Sequence, residues 1–349
     1  MKQGAIPENP LEAAALAAGV VPTPLLDTII SLLLARAVLV GVKVGVFEAL
    51  ADAPLAASEV ASRCKTDPRA TEKLLGALAG ARYLRSRGGR YALTPMARKW
   101  TLAASPSSLR DGLLYQFIDM RYIERIEEYV LGGETVRLHD EMTAEDWALY
   151  QRGMRSGANL WIPEVSLRTP VPRGARELLD IGGSHGLYSV ALCRKYPALR
   201  ATILDLPAAV EQAAPLLARE GMGDRVRHEA GDARTAELGA EAYDVILIAN
   251  LVHHFDEETN RDLVRRCARA LRPGGRLVLA DVARPESPER AGQIGALTDL
   301  YFGVTSEGGT WSFREMAAWQ RAAGLRPRRA IKLVTGPGAG LQVATKSGG

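Results

Sequence analysis

The stretch ELLDIGGSHGLYS, residues 177–189, organises the chain. It begins as a short apolar run that contains one acid, Asp180, and it continues as a cluster of three glycines, Gly182, Gly183 and Gly186. An apolar-periodic segment follows, so the order predicts a buried strand, a tight turn and a helix, the opening of a βαβ unit. Glycines are needed where the backbone approaches a ligand closely or takes a positive φ angle. The turn is therefore either a ligand-binding loop or an ordinary strand-to-helix turn.

Four more strand-like runs follow and complete the pattern of an open α/β sheet. They cover residues 201–205, 226–232, 243–249 and 276–281. An amphipathic helical pattern precedes the last of them. Beyond them we predict a helix over residues 297–303 and a closing antiparallel pair of strands, residues 328–335 and 341–345, joined by a turn that contains Pro337. The first of these runs ends in Asp205, and in nucleoside-binding α/β folds an acid at that place accepts hydrogen bonds from ribose hydroxyls. We expect an α/β fold with a doubly wound sheet that binds a nucleoside-containing ligand.

Five motifs resemble those of a known family. They are DIGGSHG at 180–186, LDLP at 204–207, GDA at 231–233, VHHFDEE at 252–258 and LRPGG at 271–275. Together they resemble the class I S-adenosylmethionine-dependent methyltransferases, more narrowly the small-molecule O-methyltransferases of the caffeate and hydroxyindole type, with their bacterial natural-product members. The resemblance covers nearly the whole chain. It implies a Rossmann-like doubly wound methyltransferase sheet and an N-terminal all-helical and winged-helix dimerisation domain.

The resemblance also implies the cofactor, S-adenosyl-L-methionine, and the residues that bind it. These residues lie in the glycine turn and after the next three strands: Asp180, Gly182, Gly183, Gly186, Asp205, Leu206, Gly231, Asp232, Ala233 and Asn250. His185 lies within the glycine turn and is expected beside the cofactor, without a catalytic role. No metal is expected, because no nearby carboxylate or cysteine completes a ligand set with the histidines at 253 and 254.

His253 is the candidate base for methyl transfer. A phenol with a pKa of about 10 needs a base or a polarising hydrogen bond, and histidine suits that work near neutral pH. His253 follows the fourth strand, at the carboxyl edge where ligands bind in such sheets. The resemblance places it at the histidine of the family's L-H-D-W segment, with His254 and Phe255 in the Asp and Trp places. A purely structural role for His253 stays open.

The two glutamates that the family places around the base are only partly matched. The first is matched by the shorter Asp281, and the second falls on Thr310, which cannot orient an imidazole by charge. We expect transfer to a hydroxyl oxygen of a small aromatic or polyketide-like acceptor, with His253 as base and Asp281 beside it. Transfer to carbon or nitrogen stays open, as does a methyltransferase fold that has lost methyl transfer.

An aromatic-rich helical stretch, residues 105–168, is expected to contribute to the acceptor pocket. The expected acceptor-binding residues are Phe117, Met120, Met154, His254 and Tyr301. Met154 is favoured because Tyr150-Gln-Arg-Gly-Met154 resembles the helix that brings a methionine to the substrate in this family. The alternative is that these side chains belong to the hydrophobic core.

The N-terminal part of the chain carries two further patterns. Residues 25–50 are predicted to form two helices that are apolar on most sides; in the resembling family such helices intertwine with a second subunit, so a homodimer is expected. Residues 57–95 have a winged-helix pattern, in which Ser58 caps one helix, Asp67 starts another, and Gly88-Gly89 mark a hairpin. Because this stretch is basic, a DNA-binding regulator with a cofactor-sensing domain is the rival function. In the family the same module serves dimerisation and the substrate lid.

Length and composition are typical of a soluble protein of two or three domains. The chain has 349 residues and a formal net charge of +4, too small by itself to imply a nucleic-acid partner. Its three cysteines lack disulfide or metal spacing, no signal peptide is evident, and the longest uncharged run is short of a spanning helix. We expect a cytoplasmic protein without a nucleic-acid or membrane partner. The predicted domains are residues 1–104 (dimerisation), 105–172 (helical linker at the acceptor pocket) and 173–349 (cofactor domain).

Overall fold

The computed structural model of the protein describes residues 4–284, 287–336 and 338–348. The chain divides into two compact units, Met1–Phe117 and Ile118–Gly349. Each unit has hydrophobic core residues of its own. The division into three parts at residues 104 and 172 stays a prediction.

The first unit is helical and contains one small sheet. Its elements are α1 (Pro10–Ala17), α2 (Thr23–Leu25), a π-helical turn (Leu26–Ile30), α3 (Ser31–Lys43), α4 (Val46–Ala49), β1 (Leu55–Ala56), α5 (Ala57–Cys64), α6 (Pro68–Gly80), β2 (Leu84–Arg87), β3 (Arg90–Leu93), α7 (Pro95–Thr101) and the start of α8 (Arg110–Ile123). Phe47, Leu75 and Leu78 are fully buried at its centre. These three side chains come from α4 and α6, so the core joins the apolar N-terminal helices to the stretch that carries the hairpin.

Local side-chain signals set the elements between residues 55 and 93. The Asp67 carboxylate accepts the Ala70 N–H at 2.7 Å, which starts α6 as predicted. The prediction that Ser58 caps α5 is wrong: the helix begins at Ala57, and the N–H of Ala56 donates to the Glu59 carboxylate at 2.6 Å. The predicted hairpin at 84–93 is present, with Gly88 and Gly89 at positive φ, and β1 pairs with β3 to give the order β1-β3-β2.

The stretch Thr23–Lys43 exposes a row of large apolar side chains. Leu25, Ile29, Ile30, Leu32 and Leu33 are each at least half exposed. This stretch is long and apolar enough to cross a membrane by length and composition alone, a test that helices of soluble proteins also pass. The expectation concerned uncharged residues alone and is not contradicted, because this stretch includes Asp27, Arg36 and Lys43.

The second unit alternates strands and helices after an initial helical segment. Its elements are α9 (Ile126–Gly132), a 3₁₀ turn (Leu138–Asp140), α10 (Ala144–Ala158), α11 (Ile162–Arg168), β4 (Glu177–Ile181), α12 (Leu187–Lys195), β5 (Arg200–Asp205), α13 (Pro207–Ala218), a 3₁₀ turn (Gly223–Arg225), β6 (Val226–Ala230), β7 (Tyr243–Ala249), a 3₁₀ turn (Val252–His254), α14 (Glu257–Ala270), β8 (Leu271–Val282), α15 (Pro288–Thr305), α16 (Phe313–Ala322), β9 (Arg326–Pro327), β10 (Ile331–Lys332) and β11 (Ala339–Thr345). All five strands predicted between residues 177 and 281 are present.

The sheet of this unit has the order β10-β11-β8-β7-β4-β5-β6, and β9 also pairs with β11. Strands β4 to β8 are parallel, whereas β11 is antiparallel to β8. The strand order reverses at β4, which has β5 on one side and β7 on the other. Ligands bind at the carboxyl ends of strands beside such a reversal. The two faces of the sheet are both covered, since Leu178 and Leu179 of β4 lie in two different cores.

The end of the chain differs in detail from the prediction. The strand predicted at 328–335 is replaced by two short strands, β9 and β10, which both pair with β11. Between these two strands, the N–H of Arg328 donates to the Val343 carbonyl at 2.7 Å, and the carbonyl of Arg328 accepts from the side-chain amide of Gln342 at 3.0 Å. The helix predicted at 297–303 is the longer α15, which is kinked at Gly292. Pro337 of the predicted turn lies outside the described residues.

Candidate active site

The glycine turn after β4 takes a conformation that requires its glycines. Gly186, the N-cap of α12, has a φ of +77°, and a Cβ there would lie 2.6 Å from Cδ1 of Ile203. A Cβ at Gly183 would lie 2.6 Å from Cγ of Asp180. Both contacts are shorter than real Cβ atoms tolerate, so the loop lies tightly against β4 and β5. The backbone of the loop thereby reaches the carboxyl ends of the two strands.

Asp180 lies beneath this loop and is completely buried. One carboxylate oxygen accepts the Ser189 hydroxyl at 2.7 Å, and the other has no partner among the described residues. Burial raises the pKa of Asp180 to about 7, against the effect of the Ser189 hydrogen bond and with a smaller contribution from the charge of Asp205. Asp180 thus supports the loop from below and does not line the cavity described next.

Asp205, at the end of β5, holds the loop from the side. Its carboxylate accepts the N–H of Ser184 at 2.7 Å and the N–H of Leu206 at 2.8 Å. Burial raises the pKa of this carboxyl, and the two backbone hydrogen bonds oppose the shift. A carboxylate oxygen has more than one lone pair, so Asp205 can accept further hydrogen bonds from a ligand in the cavity.

A cavity of about 130 Å³ opens at the carboxyl ends of β4, β5 and β7. Predicted residues that line it are Gly182, Asp205, Leu206, Gly231, Asp232, Ala233, Asn250 and His254. Residues that the sequence analysis did not predict as site residues complete the lining: Arg137, Leu138, His139, Asp140, Trp147, Tyr150, Gln151, Ser184, Leu204, Arg234, Leu251, Phe255, Thr305, Ser306 and Glu307. Ligand pockets usually measure roughly 300–1,000 Å³. The cavity is therefore smaller than a usual ligand pocket.

His253 lies behind this lining and is 4% exposed. Its Nδ1 lies 2.8 Å from Oδ1 of Asp281, and its Nε2 lies 3.1 Å from Nε2 of His254. Its ring stacks on Phe302 at 3.8 Å between centroids. Because a carboxylate only accepts, Nδ1 of His253 carries a proton, and in the neutral form of the ring Nε2 has the lone pair.

His254 faces the cavity within a group of aromatic rings. Its ring centroid lies 4.2 Å from that of His253 and 4.7 Å from that of His139. His139 in turn stacks on Trp147 at 5.2 Å. Burial lowers the pKa of His254 well below its usual value, and the charges of His253 and His139 lower it further. Burial likewise lowers the pKa of His139 to about 4, so both rings are neutral at pH 7.

The remaining residues predicted to bind the acceptor do not line this cavity. The Tyr301 hydroxyl donates to Asp119 at 2.7 Å. Met120 and Met154 are half-buried on α8 and α10. Phe117 belongs to the first unit, where Lys43 Nζ lies 4.6 Å from its ring centroid. Their role at the acceptor stays a prediction.

Charged side chains pair at the rim of the cavity. Arg137 contacts Glu307 at 2.7 Å, and Arg234 contacts Asp232 at 2.6 Å. The hydrogen bond from Arg234 lowers the pKa of Asp232 below its usual value. Among the residues that the structure describes, no group of three or more potential ligands could hold a metal ion.

Sequence reasoning missed the side of the cavity formed by residues 138–151. Trp147, Tyr150 and Gln151 follow one another at helical spacing on α10 and therefore share one face. Gln151 accepts the Ser184 hydroxyl, and its amide nitrogen has no partner among the described residues although it is buried. The aromatic richness of the segment was visible in the sequence, but the residue favoured from it was Met154, which lies on the same helical face one turn further along and does not line the cavity.

His185 is buried within the glycine turn, where its Nδ1 accepts the N–H of Leu187 at 3.2 Å. Burial lowers its pKa to about 3, and the charges of Arg155 and His228 contribute. Below about pH 6.5 an unfolded histidine binds a proton that folded His185 excludes, so stability falls as the pH drops from about 6.5 towards 3. In His185→Asn we expect the free energy of unfolding to depend less steeply on pH over this range, by up to about 1.4 kcal/mol per pH unit.

Urea unfolding between pH 8 and pH 4 measures this difference in slope. Asparagine keeps an acceptor near the position of Nδ1 but does not titrate. The raised pKa of Asp180 acts in the opposite direction, and its contribution cancels when the two proteins are compared. An identical pH dependence of the free energy of unfolding in the wild type and the variant would contradict the prediction.

Comparison with known families follows the same two parts of the chain. The O-methyltransferase domain matches residues 126–326, more than half of the chain, and the O-methyltransferase dimerisation domain matches residues 26–103. The chain belongs to this family. It is a methyltransferase that uses S-adenosylmethionine, and the predicted fold class, enzyme class and cofactor are confirmed.

Relatives of this O-methyltransferase family member extend over nearly its whole length. A 3-hydroxy-5-methyl-1-naphthoate 3-O-methyltransferase of Streptomyces sahachiroi is 27% identical over 341 residues, 93% of this chain and 94% of the relative. An N,N-dimethyltransferase of Streptomyces rimosus is 26% identical over 324 residues, 89% and 93% of the two chains. The solved structure of a mitomycin 7-O-methyltransferase has a TM-score of 0.80 at 26% identity and covers 96% of this chain and 99% of that one. The relatives include enzymes named for transfer to oxygen and to nitrogen.

Proposed function

We propose that this protein transfers a methyl group to a hydroxyl oxygen of a small aromatic or polyketide-like acceptor, with His253 as the base. The observation that carries the proposal is the chain of contacts from Asp281 through His253 to His254, which ends at an aromatic-lined cavity. A neutral imidazole with a free Nε2 lone pair can accept a hydroxyl proton, and Asp281 stabilises the imidazolium that forms. Such machinery is useful for oxygen acceptors with a pKa of about 10 and unnecessary for a more nucleophilic amine.

The residues present fit the cofactor. Gly182 lines the cavity, and a Cβ there would lie 2.9 Å from Leu251, so the turn leaves space only for backbone. Asp205 would accept the ribose hydroxyls, and Leu206, Gly231, Asp232, Ala233 and Asn250 would surround the remaining nucleoside. The buried amide nitrogen of Gln151 is a donor that still needs an acceptor. The cofactor supplies an activated methyl group on a sulfonium, so the protein must align the acceptor and exclude water.

The acceptor class follows from the side chains opposite the glycine turn. Trp147, Tyr150 and His139 pack edge-to-face and stacked, with centroids 5.2–5.6 Å apart. A flat aromatic acceptor can stack on such rings, which bury apolar area and hold the ring plane. Because Arg137 and Arg234 are both paired at the rim, neither offers an unshared charge to an anionic acceptor.

Thr310 stands where the family's second glutamate is expected. Its hydroxyl and its backbone N–H both donate to Asp299. Asp281 is therefore the one carboxylate that contacts His253 among the described residues. The proposed base is therefore oriented by one carboxylate.

The test is an acceptor screen with methyl-labelled S-adenosylmethionine. Phenols, naphthols, hydroxyindoles, polyketide-like hydroxyls and the corresponding arylamines are compared, and NMR of the product locates the methyl group. The second candidate, transfer to nitrogen, has the support of the N,N-dimethyltransferase relative. Products methylated only at nitrogen or carbon would replace the proposal, whereas O-methylated phenols or naphthols would support it.

We also propose that the exposed apolar row of Thr23–Lys43 is covered by a second copy of the chain. The match to a dimerisation domain at 26–103 supports this assignment over a DNA-binding regulator. Leu32 and Leu33 are exposed to 58% and 59%, and water contact over such a row is unfavourable. An interface of the obligate type would bury about 2,000 Å² or more.

Light scattering at micromolar concentration should therefore give the mass of a dimer, and Leu33→Glu should shift the protein to monomers. Glu12→Gln, on the exposed helix α1, is the control that leaves this row intact. A wild-type monomer would contradict the dimer, and a monomer that floats with phospholipid vesicles would indicate that the row contacts a membrane instead.

A further inference from the structure

We propose that His254 is the residue that contacts the acceptor hydroxyl, and that it passes the proton on to His253. The inference rests on the proposed transfer to oxygen and goes beyond it, because it separates the group that meets the acceptor from the group that stores the proton. The main support is that His254 lines the cavity whereas His253, its neighbour in sequence, does not.

The proton positions follow from the hydrogen-bond partners. The Asp281 carboxylate accepts a hydrogen bond from His253 Nδ1, so Nε2 of a neutral His253 must act as an acceptor. The group that faces it at 3.1 Å is Nε2 of His254, which must then be the donor. A neutral His254 with its proton on Nε2 has its lone pair on Nδ1. His254 can therefore accept a hydrogen bond at Nδ1 and donate one from Nε2 to His253.

Proton transfer along this path balances. The acceptor O–H bond breaks and its proton forms a bond to Nδ1 of His254. The N–H bond at Nε2 of His254 breaks at the same time, and that proton forms a bond to Nε2 of His253. The electron pair left on the acceptor oxygen would form the new bond to the methyl carbon, while the bond from that carbon to the sulfonium sulfur would break and its electron pair would go to sulfur. His254 ends neutral with its proton on Nδ1, and His253 ends as an imidazolium paired with Asp281.

The groups around the two rings place the final charge on the inner one. His253 is faced by the Asp281 carboxylate, by His254 and by the Phe302 ring. His254 is faced by His253, His139 and Phe302, none of which is an anion. A positive charge is thus stabilised on His253 and not on His254, so a proton that enters at the outer ring moves inward.

The backbone beneath the two rings is held in place, so they cannot exchange positions. The Val252 carbonyl accepts from the Asn260 amide at 2.8 Å and from the Trp311 indole at 3.0 Å. The His253 carbonyl accepts the Ser306 hydroxyl at 2.8 Å. A Cβ at Gly308 would lie 2.0 Å from the Phe255 carbonyl oxygen, so the facing loop packs closely against this turn. Together these contacts fix which histidine faces the cavity.

The experiment uses His254→Phe, which keeps a ring beside His139 but removes the proton path. Single-turnover methyl transfer to two phenols is compared: an unsubstituted phenol or naphthol and an acidic nitrophenol that is already ionised at pH 8. We expect turnover on the first to fall about 10²-fold and turnover on the second to fall much less, because an ionised acceptor has no proton to pass on. Rates in mixtures of H₂O and D₂O should give a curved proton inventory for the wild type, because two protons move together.

The double variant, His254→Phe with His253→Ala, should lose no more turnover on the weakly acidic phenol than the more impaired single variant, because the effects of residues that act as a unit are not additive. Unchanged affinity for S-adenosylhomocysteine shows that the variant is folded at the cofactor site. Turnover of His254→Phe within threefold of wild type on the weakly acidic phenol would overturn the relay and indicate direct contact with His253. Failure of the wild type to methylate any hydroxyl would overturn the proposed function instead, so the two outcomes are distinguishable.

Discussion

His253→Ala is expected to lower single-turnover methyl transfer to a weakly acidic phenol by roughly 10²–10⁴-fold, the usual range for loss of a general base. The inner imidazole is the only group in the described part of the chain that joins the cavity-facing His254 to a carboxylate. Without it, a proton from the acceptor must remain on His254, whose pKa burial holds well below its usual value. The rate constant in single-turnover experiments across pH measures the loss directly.

Cofactor affinity should barely change in the same variant. His253 contacts Asp281, His254 and Phe302, and none of these contacts reaches the glycine turn or Asp205. The matched control is Asp281→Asn, which keeps the shape of the carboxylate but removes its charge, and we expect it to lose less than His253→Ala. A His253→Ala enzyme within threefold of wild type at every pH would mean that alignment alone drives the reaction. That result would favour a carbon or nitrogen acceptor.

The fold could be predicted because its signals are local. Strands β4 to β8 appear in the sequence as short apolar runs, and the glycines at 183 and 186 mark a turn that leaves no room for a Cβ. Errors of detail occurred at the Ser58 cap, where the neighbouring Glu59 makes the contact, and at the end of the sheet. At β9 and β10, the amide of Gln342 takes a carbonyl that a continuous strand would have paired. Nothing in the sequence around residue 328 indicates a contact with Gln342.

The candidate site was predictable on the cofactor side and less so on the acceptor side. Asp205 and Asn250 follow strand ends, so their place at one edge of the sheet comes from the strand order. His139 and Trp147 come from an irregular turn and a helix well before the sheet in sequence, and only tertiary packing brings them to His254. The sequence also could not show which of the two histidines faces the cavity, because side-chain directions in a short 3₁₀ turn follow no long-range periodicity.

Asp205→Asn is expected to weaken binding of S-adenosylhomocysteine more than tenfold. The variant loses a hydrogen bond to a charged acceptor, worth roughly 1.5–3 kcal/mol. It also disturbs the glycine turn, because the two carboxylate oxygens accept the N–H groups of Ser184 and Leu206, and an amide offers only one acceptor atom to that pair. Isothermal titration calorimetry measures the affinity, with Asp224→Asn as the control for the same charge change at an exposed position.

A deoxyribose analogue separates the two causes of this loss. If Asp205 accepts a ribose hydroxyl, the wild type should bind 2′-deoxy or 3′-deoxy S-adenosylhomocysteine more weakly than the parent ligand, whereas Asp205→Asn should bind both about equally. The coupling free energy between Asp205 and the ribose hydroxyl then measures the direct hydrogen bond. The rest of the lost binding free energy comes from the disturbed glycine turn. Equal losses on deoxygenation in the two proteins would place the ribose elsewhere. In that case Asp205 would act only through the backbone of Ser184 and Leu206, and Gln151, whose buried amide nitrogen is unpaired in the described structure, would be the next donor to test.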